Sequence, residues 1–314
     1  MVAKPDKSRL PSRGVHHVTT IIGDVQRAAY FYADLLGLKR VKKTVCYDDP
    51  GSYHLYYGDG VGSPGTVIST LAWQCVAKGM VGVGEVVQTA FRVPTDSFEL
   101  WSERLKAADI ACSLDHSPFG EPMLCFADPD GTKLALVESN HVDREGWRSA
   151  ERPAVVGLDE VTLNVRAEDA TVDILQDVLG FKRASEAGDS VRFVAHDGPG
   201  GTLTLRTIGT SSRGRLGGGT IRHVAFRAAD LEDQSRMIQK LQRMHDVVVT
   251  EPIERTYLTA IGFRAPCGVL FEIATDGPGF AVDEAHSRLG ESLKLPGFLE
   301  ERRPELQSIL PPLN

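Results

Sequence analysis

Residues 219–276 read GTIRHVAFRAADLEDQSRMIQKLQRMHDVVVTEPIERTYLTAIGFRAPCGVLFEIATD. An apolar run carrying His223 opens this stretch, and a second, GVLFEIAT, closes it around Glu272. Between them the spacing predicts a helix over 230–245 followed by two further extended runs. The order is β-α-β-β-β. Glu272 is the residue out of place. Val269, Leu270 and Phe271 precede it and Ile273 and Ala274 follow, so the strand should be half buried. A buried carboxylate needs a partner or a cation. A strand Glu whose side faces solvent is the ordinary alternative, and this stretch alone leaves it open.

The rest of the chain repeats the unit. FYADLLGLKRVKK (31–43) matches ILQDVLGFKRASE (174–186), each a helix end, a Gly stop and a new strand. TAFRVPTDSFELWSERLKAADI (89–110) matches VAFRAADLEDQSRMIQKLQRMHD (224–246) in the same way. The late hairpins also correspond. The sequence therefore divides into four modules, 14–73, 83–139, 157–208 and 219–275, with one resembling three and two resembling four. The expected fold is α+β, four βαβββ modules forming two barrel-like units. Along the chain the modules fall into an N-terminal pair within 1–145 and a C-terminal pair within 146–276. An extended tail over 277–314 is expected to pack across the body.

Composition agrees. A chain of 314 residues can bury full cores for two domains, and 42% hydrophobic with 25% charged residues is the balance of a water-soluble fold. A net charge of −7 argues against a nucleic-acid or anionic-membrane surface. No run approaches the roughly 18 apolar residues of a membrane span. No apolar signal segment follows Met1, and five cysteines without a C-x-x-C pair suit reduced thiols. The expected setting is cytoplasmic, with neither nucleic acid nor membrane as partner.

In module one, Val15 to Ile22 is strand-like, with Val15, His17, Thr19 and Ile21 expected on one face. Asp24 can cap the next helix, whose apolar side is Ala28, Ala29, Phe31, Tyr32, Leu35 and Leu36. Gly37 suits the left-handed position after it. Arg40, Lys42 and Lys43 read as a solvated strand edge. The Gly-Pro-rich turn before Thr66 lacks the G-K-[ST] of a phosphate loop. Residues 140–153 form the expected linker, and Gly214 to Gly219 a flexible hinge.

Superposing the first strands places His17 on His223, with Gln88 and Glu160 at the same position in modules two and three. At the position of Glu272 the other modules place Ser69, Ala135 and Leu205. Two histidines and one carboxylate are the set that holds non-haem Fe(II) while leaving coordination positions open, and the same donors suit Mn(II). His17, His223 and Glu272 are therefore the candidate metal ligands.

At these residues the chain resembles the vicinal oxygen chelate superfamily. More narrowly, it is similar to the hydroquinone-type ring-cleaving dioxygenases, the 2,6-dichlorohydroquinone and chlorohydroquinone dioxygenases. The matching pieces are HHVTT (16–20), the module-one segment containing DDPGSYHLYYGD, IRHVAF in module four, and FRAPCGVLFEIATDGPGFAVDE at the end. The resemblance spans about 15–314. It implies the same three ligands, with His16, Thr19 and Arg255 as catalytic neighbours. It also implies Fe(II), or Mn(II), and an extradiol-type opening of a small aromatic ring by O2, in a homo-oligomer.

Two rival classes share this fold. A glyoxalase-like isomerase would use a second carboxylate where Ser69 stands, and a metal-free binder would need none of the three ligands. Two departures from the relatives bear on specificity. Arg222 stands where a His is common, and Gly262 where a Tyr is common. As the strand neighbour of an inward ligand, Arg222 is expected to point away from the site.

Overall fold

The computed structural model describes residues 14–140, 154–167 and 170–313. Module one supplies β1 (Val15–Ile22), β2 (Lys39–Val45), β3 (Tyr53–Gly58) and β4 (Val67–Ala72). Module two supplies β5 (Glu85–Pro94), β6 (Ser113–His116), β7 (Pro122–Ala127) and β8 (Lys133–Ser139). Module three gives β9 (Gly157–Val165), β10 (Lys182–Ala187), β11 (Ser190–Val194) and β12 (Thr202–Thr207). Module four gives β13 (Ile221–Ala228), β14 (Ile253–Glu254), β15 (Leu258–Arg264) and β16 (Leu270–Pro278). In each module a helix follows the first strand, so the βαβββ order of the sequence recurs four times.

Two curled eight-stranded sheets result. One runs β14-β15-β16-β13-β1-β4-β3-β2 and the other β10-β11-β12-β9-β5-β8-β7-β6. Each sheet thus takes one module from each half of the chain, one with four and two with three. A single metal site shared by His17, His223 and Glu272 requires that arrangement.

The two first strands at the centre of each sheet run antiparallel and are bulged. In the first sheet Val15 faces Phe226, His17 faces Ala225, Thr19 faces His223 and Thr20 faces Ile221. His16 on β1 and Arg222 on β13 have no opposite number, so each is the extra residue of a bulge, directly before a candidate ligand. The same irregularities recur where β5 meets β9, at Val87 before Gln88 and at the Asp159–Glu160 step. The bulge overturns one expectation. Val15 and His17 do not share a face, because the extra residue shifts the alternation, and Val15 joins Val18, Ile22 and Phe226 in the main core.

Local sequence signals hold where they rest on backbone chemistry. The Asp24 carboxylate accepts from the N–H groups of Gln26 and Arg27 and starts helix Val25–Ala29, which runs on as a wider turn over Tyr30–Leu35. The six apolar residues expected on its inner side are all buried. Gly37 has φ 74°, and Asp230 caps helix Leu231–His245 through the N–H of Asp233.

Three other expectations fail for tertiary reasons. Lys42 is not at a solvated edge. It is fully buried, its ammonium 2.6 Å from Asp283 and 2.5 Å from Glu284 and over the ring of Tyr257. The Gly214–Gly219 run is not a spacer, since Gly218 bridges to Lys78 and Arg215 to Met80. A Cβ on Gly217 would come 2.4 Å from the Ala77 carbonyl oxygen, so these glycines permit close backbone approach. The residues after Pro278 do pack across the body, but as short helical turns and not as an extended tail. Leu293 bridges to Lys43 beside β2, and Leu295, Leu299, Leu306 and Leu310 enter the main core, so the open edge is covered. Of the expected linker at 140–153, residues 141–153 lie outside the described residues, as do residues 1–13.

Candidate metal centre and pocket

The sheet register builds the site in two adjacent rows. One row runs His17 on β1, Ala225 on β13, Glu272 on β16 and Gly262 on β15. The next runs Tyr56 on β3, Ser69 on β4, Thr19 on β1 and His223 on β13. Ala225 is small, so His223, two residues before it on the same face, fills the space between His17 and Glu272. One ligand atom from each of His17, His223 and Glu272 lies within 4.8 Å of the others, and all three side chains are buried. The repeat alignment is sound here, because Ser69 stands opposite Thr19 as Glu272 stands opposite Ala225. In module three it slips by one. Thr204, not Leu205, faces Thr162 at the equivalent place, and Leu205 lies in the core.

The chemistry of these donors fits a divalent metal. Burial, together with neighbouring histidines or arginines, holds the imidazoles of His17 and His223 well below their ordinary pKa, leaving them neutral with lone pairs available. Burial pushes the Glu272 carboxyl up, against the pull of Arg255 and Arg222. His223 Nε2 lies 3.2 Å from His17 Nε2, while its Nδ1 is buried without a hydrogen-bond partner, 3.5 Å from Glu272 Oε1. An orphaned ring nitrogen beside a buried carboxylate costs on the order of 1–3 kcal/mol. A cation bound among the three relieves that cost, and the two-histidine, one-carboxylate set is that of non-haem Fe(II) sites.

Around the ligands the sequence-expected neighbours take different places. His16 Nδ1 is 2.9 Å from His17 Nδ1, and burial lowers its pKa to about 4, so it is a neutral partner behind the ligand. With His17 donating Nδ1–H to His16, its Nε2 lone pair turns towards His223 and Glu272. Thr19 Oγ1 is 2.7 Å from His223 Nε2 and 2.7 Å from Ser69 Oγ. Neither His16 nor Thr19 lines the pocket itself, whereas Arg255 does.

That pocket is lined by the three ligands together with His54, Tyr56, Cys46, Asp48, Arg222 and Arg255. His54 and Tyr56 escaped the residue-level reading, although both stand in the YHLYYG segment that carried the family resemblance. His54 Nε2 is 3.0 Å from Ser69 Oγ and its Nδ1 is 3.2 Å from the Tyr56 hydroxyl. Burial first, then Arg255, keeps the His54 imidazole neutral. Arg222 does not point away. It is the extra residue of the β13 bulge, and its side chain turns to the pocket. Gly262 faces Glu272 across β15 and β16, and a Cβ there would meet nothing closer than 3.9 Å.

The second sheet carries no such triad among its described residues. Gln88, Ala135, Glu160 and Thr204 stand at the equivalent places, and Glu160 Oε2 accepts from Arg192 Nε at 2.8 Å. Its arginine occupies the charge that a metal would otherwise supply.

Comparison with known proteins bears on this geometry. Residues 14–136 and 157–273 match the family described as Glyoxalase/Bleomycin resistance protein/Dioxygenase superfamily. The chain is 38% identical over 302 residues to "Putative ring-cleaving dioxygenase MhqO" of Bacillus subtilis (strain 168), covering 95% of this chain and 96% of that one. It is 29% identical to the "Chlorohydroquinone/hydroquinone 1,2-dioxygenase" of Sphingobium indicum over 312 residues, covering 95% and 96%. Among solved structures, a "putative dioxygenase" from Bacillus subtilis subsp. subtilis str. 168 superposes with a TM-score of 0.90 at 38% identity, covering 96% of this chain and 98% of that one. Glyoxalase I from Zea mays shares the fold at a TM-score of 0.64 and 16% identity, with 84% and 93% covered.

Proposed function

The chain belongs to the Glyoxalase/Bleomycin resistance protein/Dioxygenase superfamily, and from that premise we propose that it is a metal-dependent, extradiol-type ring-cleaving dioxygenase acting on a substituted hydroquinone or related phenol. The observation that carries the reading is the buried His17–His223–Glu272 cluster in the wall of a pocket lined by arginine, histidine and tyrosine. In the reaction one ring C–C bond beside a hydroxyl-bearing carbon breaks and both atoms of O2 enter the product. No external reductant is consumed.

Bound by those three residues, Fe(II), or Mn(II), supplies the redox coupling between ring and O2 that closed-shell side chains lack. The protein's own groups do the rest. His54 is neutral, lines the pocket and stands apart from the three ligands; held by Ser69 at Nε2, it meets the Tyr56 hydroxyl at Nδ1 and so orients that hydroxyl in the pocket wall, where it can hydrogen-bond the phenolic oxygen of the substrate. Arg255 faces the pocket with a buried Nε that lacks a partner, a donor held ready for anionic oxygen as the ring opens. His16 and Thr19 act through His17 and His223 by fixing their ring orientation.

Ser69 weighs against the isomerase alternative. Its hydroxyl stands where a fourth, carboxylate ligand would be, and is engaged with Thr19 and His54. Metal analysis of protein purified without added metal, followed by O2 uptake with a panel of hydroquinones and catechols, tests the proposal. Iron or manganese near one per chain and oxygen consumption matched to ring loss are expected. Nickel or zinc with no O2 uptake on any ring would overturn it.

A further inference from the structure

We propose that Arg222 is a specificity determinant that selects an aromatic ring bearing an anionic substituent, a carboxylate, next to the metal centre. The inference rests on the ring-opening reading above. It starts from the bulge. A regular strand would send the residue before His223 to the opposite face, but the register skips Arg222 between the Thr19–His223 and Thr20–Ile221 pairs. Its side chain accordingly lines the same pocket as His17, His223 and Glu272.

Among the described residues the Arg222 guanidinium has no ion pair. Its guanidinium carbon lies 5.9 Å from the ring centroid of Trp73. Arg255, across the pocket, also has no carboxylate within ion-pair distance among the described residues. Two cationic side chains therefore line one pocket, neither in an ion pair among the described residues, and an anionic guest between them gains from both. The pocket's two carboxylates, Asp48 and Glu272, balance the two guanidiniums. A divalent ion adds two positive charges. A phenolate oxygen offsets one, and a ring carboxylate offsets the other. The planar guanidinium fork matches carboxylate geometry, with two parallel N–H donors to two oxygens. Arg222 brackets the metal ligands from the β13 side and Arg255 from the turn before β15, so one substrate can span ion and fork.

The test uses the metal-loaded full chain without O2. Binding of gentisate and homogentisate is compared by calorimetry with that of methylhydroquinone and chlorohydroquinone, for wild type, Arg222→Gln and Arg222→Lys. Wild type should bind a carboxylated ring more tightly than the neutral ones. Arg222→Gln should weaken the carboxylated ring by about ten- to a hundred-fold, as expected for losing a charge-assisted contact, while changing the neutral rings by less than about three-fold. Arg222→Lys should recover part of the loss. Equal or tighter binding of neutral rings by wild type, parallel weakening of both classes by Arg222→Gln, or no binding of either class overturns the proposal. Oxygen uptake is then measured separately. If carboxylated rings bind in an Arg222-dependent way but no ring consumes O2, the ring-opening reading fails while the selectivity stands.

Discussion

Single side chains in this protein do work that their neighbours make possible. His17, His223 and Glu272 converge within 4.8 Å because a bulge, a small Ala225 and a parallel strand pair set their spacing. Replacing any of the three by alanine should leave two protein ligands. Metal analysis of His17→Ala, His223→Ala and Glu272→Ala should show loss of most bound metal, with activity falling by more than the 10–100-fold typical of losing a supporting neighbour. Full metal content and normal turnover in His17→Ala would sink the assignment. Thr19 tests the supporting layer. Thr19→Val removes the hydroxyl beside His223 Nε2 and should weaken metal affinity by about 10–100-fold, whereas Thr19→Ser, which keeps the hydroxyl, should restore it. A purely structural Thr19 would show the loss in thermal stability without a change in metal dissociation constant. Glu85 offers a titration of stability. Burial pushes its carboxyl up to about 7, with Arg264 opposing. The folded protein thus disfavours the charged form. Its contribution is fully present below the unfolded value of 4.5 and is lost as pH rises through about 7. Denaturant melts at about pH 5 and about pH 8 should show a smaller drop for Glu85→Gln than for wild type. An unchanged drop would mean that Glu85 has no such shift.

Between elements, β2 is joined to the C-terminal segment by a buried charge cluster. Lys42 lies at full burial between Asp283 and Glu284 and over Tyr257, and Phe280 packs on Tyr56 and Tyr257. Because Tyr56 also lines the pocket, this joint braces one wall of the site. Lys42→Ala leaves Asp283 and Glu284 without the buried cation between them, and should cost about 3 kcal/mol in denaturant melts. It should also speed limited proteolysis after residue 278. Lys42→Met with both acids changed to their amides should recover much of that loss, since an apolar replacement of the whole cluster leaves no charge buried. If Lys42→Ala melts as wild type, the cluster is solvated in solution and braces nothing.

At the scale of the whole molecule, the site belongs to neither half of the chain. β1 brings His17, and β13 and β16, some two hundred residues on, bring His223 and Glu272. A fragment of residues 1–145 should bind no metal stoichiometrically, because it lacks two ligands and leaves β1 without its β13 partner. Mixed with residues 146–314, it should regain metal binding and activity, as the β1–β13 and β5–β9 ladders both form across the break. Stoichiometric metal binding by the first fragment alone would contradict the shared site. The repeat explains why such a division exists. Each module buries one face of a four-stranded sheet only when a second module continues it, so two curled sheets need four modules.

The sequence by itself determined the module count, the βαβββ order, the helix cap at Asp24, and the candidacy of His17, His223 and Glu272. Those rest on local chemistry and on self-comparison, which need no long-range information. The tertiary structure alone decided what each side chain faces. One extra residue in a strand inverts the alternation, which turned Arg222 inward and separated Val15 from His17. Charges in a strand read as solvated until a distant segment covers them, as Asp283 and Glu284 cover Lys42. Glycines read as flexible until another backbone lies against them, as Ala77 lies against Gly217. His54 reads as an ordinary strand histidine until the β3–β4 register sets it beside Ser69 in the pocket wall. The deciding partner lies from fifteen residues away, as Ser69 does from His54, to more than two hundred, and periodicity carries no record of such partners.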